Sequence, residues 1–400
     1  MPNTKEERRL ERVRARKEKR KMERGSTIVY TYAPTGKGGS TIVYTDAPTE
    51  EIIQERKRAL RVYCIYFPQF HSFQENDTNF YPGFTDIVNL DLMTKEKPSS
   101  KYLTPSLKEL GLRQMTDYDL EKNEGIIQRQ IDILANYNLE GFAIYYYWFS
   151  VNSVSGNNML MSNVIDRFFD SSIDMKQRKV YFIWANEDWT SNVWFGDKPG
   201  KIENTYDEIS LQRNIDNMMK YFLHDNYLKI GNKPVLFLYH PQFLTSEEIQ
   251  RFVSLLQTAC VNQGFSGIEL CFNGTRSTYS EYSNFYSMAN EPNSFMDYKI
   301  RVENGTFKHR MTIANFDFDN SPRMYKPRRE NLRVYHNVTE ELQEMFLRNI
   351  VHMYTHSQPT SEVENILLVN AWNEWGEKMA VEPSEEKGYY FLDMIQRLIS

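Results

Sequence analysis

Ile366-Leu367-Leu368-Val369-Asn370-Ala371-Trp372-Asn373-Glu374-Trp375-Gly376-Glu377 is an apolar run of strand length that opens onto a polar, aromatic loop. The loop sets two tryptophans among two carboxylates and an asparagine. Strand first and polar loop second is how a barrel or open α/β sheet presents chemistry at the carboxyl ends of its strands. Glu374 and Glu377 therefore read as the catalytic pair of a carbohydrate-active enzyme. Burial raises a carboxyl pKa and a charged neighbour drives two such values apart, which is the split that acid/base work on a glycosidic bond needs. If the loop turns helically, Cβ atoms three residues apart lie ~5–6 Å from each other. Carboxyl groups ~5–5.5 Å apart indicate a retaining glycosidase rather than an inverting one.

Other Glu-x-x-Glu pairs arise by chance in a chain of this composition. Glu121/Glu124, Glu341/Glu344 and Glu382/Glu385 stand in polar contexts, whereas bulky apolar residues surround Glu374/Glu377.

Working back from this stretch, the same alternation recurs. Strands are predicted at 62–67, 141–147, 179–184, 234–239, 268–272, somewhere within 280–306, at 310–316 and at 365–371. Between them, Ile126, Ile127, Ile131, Leu134 and Ala135 repeat at helical spacing, as do Leu211, Ile215, Met218, Met219 and Phe222. Further helices are predicted near 158–170, over 249–259 with Gly264 as a stop, over 342–353 and over 388–399. A long segment rich in Asn, Pro, Gly and aromatics, 76–119, is read as an irregular insertion that covers or lines a site. About eight strands alternating with helices predict an α/β fold of the (β/α)8 TIM-barrel type over residues 60–400. The alternative is an open doubly wound sheet, although no glycine-rich phosphate loop follows the first strand.

All six tryptophans fall in three stretches at or just after predicted strand ends: Trp148; Trp184, Trp189 and Trp194; Trp372 and Trp375. An indole has a flat apolar face and a polar edge, which suits a sugar ring and its hydroxyls; core packing is the bland reading. Tyr66, Tyr146, Asn186, Glu187, Asp188 and Asn373 join them as candidates to reach sugar hydroxyls, and His71 and His240 follow strands one and four. Any of these could instead tie down a loop. Asp317-x-Asp319 has the form of a metal–nucleotide-sugar motif, but Asp117-x-Asp119 has it too, and chance explains both. No metal site and no cofactor are expected.

The 400-residue chain carries a formal net charge of −5. The balance is uneven: residues 1–24 hold 11 Lys/Arg against 5 Glu, leaving −11 for the remainder. This basic tail is a candidate contact for an acidic surface; no nucleic acid is expected as a partner. A short repeat follows, Gly25-Ser26-Thr27-Ile28-Val29-Tyr30-Thr31 recurring as Gly39-Ser40-Thr41-Ile42-Val43-Tyr44-Thr45. Two copies cannot build a solenoid. Residues 1–59 are read as a disordered or loosely attached extension outside the catalytic domain. No apolar run approaches the ~20 residues of a membrane span. The odd number of cysteines (Cys64, Cys260, Cys271) sits in apolar settings, which predicts buried thiols and a cytoplasmic protein. The sequons at Asn76, Asn273, Asn304 and Asn337 carry little meaning without secretion.

Several stretches together resemble a known family. They are Tyr66-Phe67-Pro68-Gln69-Phe70-His71, Gly83-Phe84-Thr85, Tyr145-Tyr146-Tyr147-Trp148-Phe149, Trp184-Ala185-Asn186-Glu187-Asp188-Trp189-Thr190, Gly231-Asn232-Lys233-Pro234, Asp319-Asn320-Ser321-Pro322-Arg323 and Ala371-Trp372-Asn373-Glu374-Trp375-Gly376-Glu377 with Glu382-Pro383. In colinear order over residues ~61–399 the chain resembles the WbsX-type proteins, a group related to the family-99 glycoside hydrolases (endo-α-mannosidase and endo-α-mannanase). The resemblance implies a (β/α)8 barrel and a metal-free glycosidase that retains configuration. It implies that Glu374 deprotonates the sugar 2-hydroxyl to give a 1,2-anhydro-sugar, that Glu377 acts as general acid and then base, and that Glu187 binds a sugar hydroxyl. The family often has Glu-Trp where this chain has Asp86-Ile87, often His at 146, and usually Ala at 376; these departures bear on the substrate.

The expected function is a retaining glycoside hydrolase or transglycosidase on an α-linked glycan, mannose-containing glycans among the candidates. WbsX-type proteins are commonly labelled glycosyltransferases, so a glycosyltransferase of polysaccharide synthesis is the alternative, and a non-catalytic glycan-binding protein a third.

Overall fold

The computed structural model describes residues 48–98, 101–150, 155–190, 201–273, 284–286, 311–326, 332–335, 338–356 and 365–400. The basic tail, nearly all of the repeat segment and Trp194 lie outside the described residues.

Eight strands run parallel: β1 (Arg61–Tyr66), β2 (Gly141–Trp148), β3 (Lys179–Trp184), β4 (Lys233–Leu238), β5 (Glu269–Asn273), β6 (Asn284–Tyr286), β7 (Met311–Asn315) and β8 (Ile366–Asn370). Their hydrogen-bonded order is β6-β5-β4-β3-β2-β1-β8-β7. The ladder therefore follows the chain and closes the first strand on the last, with Arg61 opposite Ile366 and Cys64 opposite Val369. The two ends of the ladder, β6 and β7, lie beside one another with Cα atoms within 8 Å. This is the (β/α)8 barrel.

Strands buried on both faces read as continuous apolar runs rather than alternating ones. Every residue of β2 is buried, and so are the last five of β1, β3 and β4. Gly141 opens β2 at φ +153°, where a Cβ would sit 1.7 Å from the Lys179 carbonyl oxygen of β3. Only glycine permits that approach.

The outer layer contains α1 (Glu50–Ala59), α2 (Gln74–Asn79), α3 (Asp86–Glu96), α4 (Gly125–Asn136), α5 (Ser162–Arg167), α6 (Glu208–Phe222), α7 (Ser246–Asn262), α8 (Glu340–His356) and α9 (Tyr390–Ile399). Their starts are chemically marked. The Asp207 side chain accepts from the Ile209 and Ser210 amides of α6, and Thr245 with Glu248 forms a reciprocal capping box on α7. Residues 50–59, set apart from the barrel in the sequence reading, form α1, which packs on α8 and donates from Arg56 Nη1 to the Thr355 carbonyl at 2.9 Å. The segment expected to be irregular, 76–119, instead contains most of α2 and all of α3. Thr85 caps α3 at the Val88 amide, and Ile87, Leu90 and Met93 supply its buried face.

Cys64, Cys260 and Cys271 are free and buried. Among the described residues no helix is long and apolar enough to cross a membrane.

Candidate active site

The carboxyl ends of β1, β2, β3, β4, β7 and β8 carry the site. The loop after β8 is pinned first. Asn373 Oδ1 accepts from the Phe67 amide at 2.8 Å and its Nδ2 donates to the Phe67 carbonyl at 3.0 Å, so the side chain replaces a strand at the end of β1. Beneath the loop, buried Glu382 accepts from Tyr118 Oη (2.7 Å), Gln130 Nε2 (2.8 Å), Trp372 Nε1 (3.2 Å) and Trp375 Nε1 (3.1 Å). Residues 373–374 pair antiparallel with 379–380, and Trp375–Glu377 make one tight turn. Glu374 and Glu377 emerge from this frame on one side.

Arg323 lies between them. Its Nη2 donates to Glu374 Oε2 at 2.7 Å and its Nη1 to Glu377 Oε1. Its Nε and Nη2 both reach Asp86 Oδ2, at 2.7 and 2.6 Å. Asp86 is the first residue of α3, and Arg323 lies eight residues beyond β7. The Arg323 Cζ sits 5.0 Å from the centroid of the Phe67 ring. Burial opposes the guanidinium charge, but the three carboxylates outweigh it and raise the Arg323 pKa well above its usual value. Burial pushes Glu374 up to about 8 against the pull of Arg323, with Glu377 and Asp86 adding to the rise. Glu377 is raised too, again by burial first. Its side chain is 18% exposed against 6% for Glu374, so Glu377 is the more accessible of the two.

Both glutamates line a cavity of about 850 Å³, within the range of small-ligand sites. Phe67, Tyr145, Tyr147 and Tyr239 form its aromatic walls. Glu187, Asp188, Asn204 and His240 also line it, as do Arg323 and exposed Arg333. Burial raises Glu187 to about 7 and lowers His240 to about 4, so near neutrality their 3.9 Å approach is not an ion pair.

Of the residues singled out in the sequence, Glu374, Glu377, Glu187, Asp188 and His240 meet at this cavity. The others do not line it. Tyr66 turns outward to donate to Gln130 Oε1 of α4 at 2.8 Å. Tyr146 bonds Asn214 Oδ1 of α6 at 2.8 Å, and Trp184 packs on Phe252 of α7 with ring centroids 5.2 Å apart. Trp372 and Trp375 are spent on Glu382, and Asn373 on Phe67. Asn186 fastens the loop after β3, accepting from the His240 amide at 2.7 Å. Trp189 is buried against Phe149 and Tyr147. His71 bonds the Pro68 carbonyl at 3.1 Å. Trp148 borders a separate groove of about 540 Å³ with Asn158 and Asn217.

The reason is parity. This holds for the strand residues Tyr66, Tyr146, Trp148 and Trp184: successive strand residues face opposite sides, and Tyr145 and Tyr147, not Tyr146, line the cavity. The Asp-x-Asp pair is likewise occupied: Asp317 binds Lys378 Nζ at 2.8 Å, and Asp319 accepts from the Ser321 amide at 3.0 Å. Asp86 and Arg323 were missed as site residues; three converging carboxylates need a counter-charge, but no local pattern says which arginine supplies it.

Fold and site together define the class as a (β/α)8 barrel protein with an acidic, aromatic-walled cavity at its strand ends. The particular family follows from the comparisons. The model described as glycosyltransferase WbsX matches residues 62–311 and 273–395, and the chain belongs to that family. The WxcX proteins of Xanthomonas campestris pv. campestris strains B100 and ATCC 33913 are each 24% identical over 368 residues, covering 84% of this chain and 49% of theirs. The chain thus spans about half the length of these relatives. Among solved structures, the GH99 endo-α-mannosidase of Bacteroides thetaiotaomicron matches with a TM-score of 0.52 at 11% identity, covering 85% of this chain and 96% of that one. A glycoside hydrolase-like protein matches with a TM-score of 0.54 at 10% identity over 90% and 97%. At these identities the likeness is one of fold.

Proposed function

We propose that the protein is a retaining glycoside hydrolase or transglycosidase acting on an α-linked glycan, with Glu374 and Glu377 as its carboxyl pair. The observation that carries this reading is the binding of both carboxylates to neighbouring nitrogens of one guanidinium, at the edge of an 850 Å³ cavity. Carboxylates bound to neighbouring nitrogens of one guanidinium favour the short separation of a retaining pair over the wider one of an inverting pair. The more accessible Glu377 protonates the departing oxygen as its bond to C1 breaks. Glu374 takes the 2-hydroxyl proton as O2 closes on C1. Water or a sugar hydroxyl then attacks C1, its proton going to Glu377, while the C1–O2 bond breaks and O2 takes its proton back from Glu374. The tyrosine walls suit the C–H face of a pyranose ring, and Glu187, Asp188 and Asn204 offer partners for its hydroxyls.

The family's description favours a second reading, transfer to a sugar acceptor. The same pair performs transfer when the acceptor hydroxyl replaces water, with no nucleotide donor. Glu377→Gln is expected to lower turnover of α-linked oligosaccharides at least ~10²-fold while the melting curve is retained. Wild-type turnover in that variant overturns the reading, and so does saturable binding of a nucleotide sugar by calorimetry with product forming only from it.

A further inference from the structure

We propose that Asp86 and Arg323 are positioning residues that act as one unit with the glutamate pair: Arg323 aligns both carboxylates, and Asp86, which substrate does not reach, divides the guanidinium's charge so that the unit keeps a proton. The inference rests on the catalytic reading above and deepens it.

The geometry is that of a shared fork. Nε and one arm of Nη2 go to Asp86 Oδ2, the other arm of Nη2 goes to Glu374, and Nη1 goes to Glu377. Three carboxylates around one guanidinium would carry −2 if all were ionised. The side chains of Asp86, Arg323 and Glu374 are only 3%, 6% and 6% exposed, so water does little to spread that charge. Like charges packed this closely in a poorly solvated site cannot all ionise, and the cluster retains a proton near neutrality. Catalysis by the pair needs that condition: one glutamate as acid while the other is base.

Asp86 is absent from the cavity lining, while Arg323, Glu374 and Glu377 are part of it. It acts through Arg323. Its place is built in: α3 packs on the Trp375–Glu377 turn, and the Gly376 backbone lies against the Asp86 carboxylate. The other ionisable groups facing the pair are Arg333 on the Glu377 side and the tyrosines Tyr145 and Tyr147 of β2, whose hydroxyls burial keeps protonated. Glu187 also lines the cavity.

The test separates charge division from simple bracing. Asp86→Asn preserves shape and gives Arg323 wholly to the two glutamates, so their carboxyl titration should move to lower pH by about one unit, a tenfold loss of proton affinity. Carbon-13 NMR of labelled glutamate carboxyls reads this without turnover. The alkaline limb of kcat/KM should move the same way. Arg323→Lys keeps a charge but cannot fork to three carboxylates; it should lower kcat at least tenfold and move the titration upward. Midpoints unchanged in both variants overturn the proposal, as does a rate loss with no displacement of either pH profile. Should Asp86→Asn not fold, the Arg323→Lys titration alone decides. If the midpoints move but wild-type protein cleaves and transfers no α-linked glycan, the catalytic reading falls and the charge unit stands.

Discussion

Gly376 shows how little space the site leaves. A Cβ added there would lie 2.4 Å from Asp86 Oδ2, inside the carboxylate that holds two of the Arg323 bonds. Either Asp86 or the turn must move, and both carry the charge geometry with them. Gly376→Ala is therefore expected to cost ~1–3 kcal/mol of stability and to lower kcat/KM more than tenfold, read by thermal melts beside steady-state kinetics. A variant with unchanged melting and rate would show the contact to be slack. At this scale the sequence is legible in part. Glu374 and Glu377 stand out because tryptophans flank them after an apolar strand. Tyr145 is indistinguishable from Tyr146, since a strand buried on both sides has no polar face to fix the parity. Asp86 and Arg323 come from segments separated by more than two hundred residues, and only the folded chain sets their side chains together.

Glu382 sets the terms for the loop after β8. It lies deeper than the pair, is 1% exposed, and receives four donors from three separate segments of the chain. Glu382→Gln replaces one acceptor oxygen with a donor that must face Tyr118 and Trp375 or Gln130 and Trp372. The expected loss is ~2–4 kcal/mol by denaturant titration, with turnover falling because the Trp375–Glu377 turn loses its anchor. Full stability in that variant would mean that the indoles find other partners. Elements were easier to read than side chains. The apolar runs of β1 to β5 and of β8 mark strands, and the stripes on α4, α6 and α7 mark helices. The 76–119 segment was misjudged because Gln74-Glu75-Asn76-Asp77 look like loop residues, although Thr85 followed by Ile87, Leu90 and Met93 has the cap and spacing of a helix. The sixth strand is only three residues long, Asn284–Tyr286, too short for a periodicity to register.

For the molecule as a whole, buried acids shape the response to pH. Glu187 and Glu382 are held near 7, and the Glu374/Glu377 pair keeps one proton at higher pH still, all raised above an ordinary value of 4.5 chiefly by burial. The folded state then binds protons that the unfolded chain has released, so stability falls as pH rises toward those values. His240, lowered from 6.5 to about 4, works the opposite way, but only below 6.5. Between pH 6.5 and 8 the acids dominate, and unfolding free energy should drop by about 3 kcal/mol. Urea midpoints at the two pH values check this; a flat or rising trend would mean that these carboxyls already ionise in the folded protein. The closure of β1 on β8 has a consequence for synthesis. The partner of Arg61 is Ile366, and the Phe67 backbone is completed by Asn373. At ~5–20 residues per second, the first strand waits roughly 15–60 s for its neighbour to leave the ribosome. Until then one flank of the nascent sheet stands uncovered, and the cavity is incomplete before the loop after β8 has been translated.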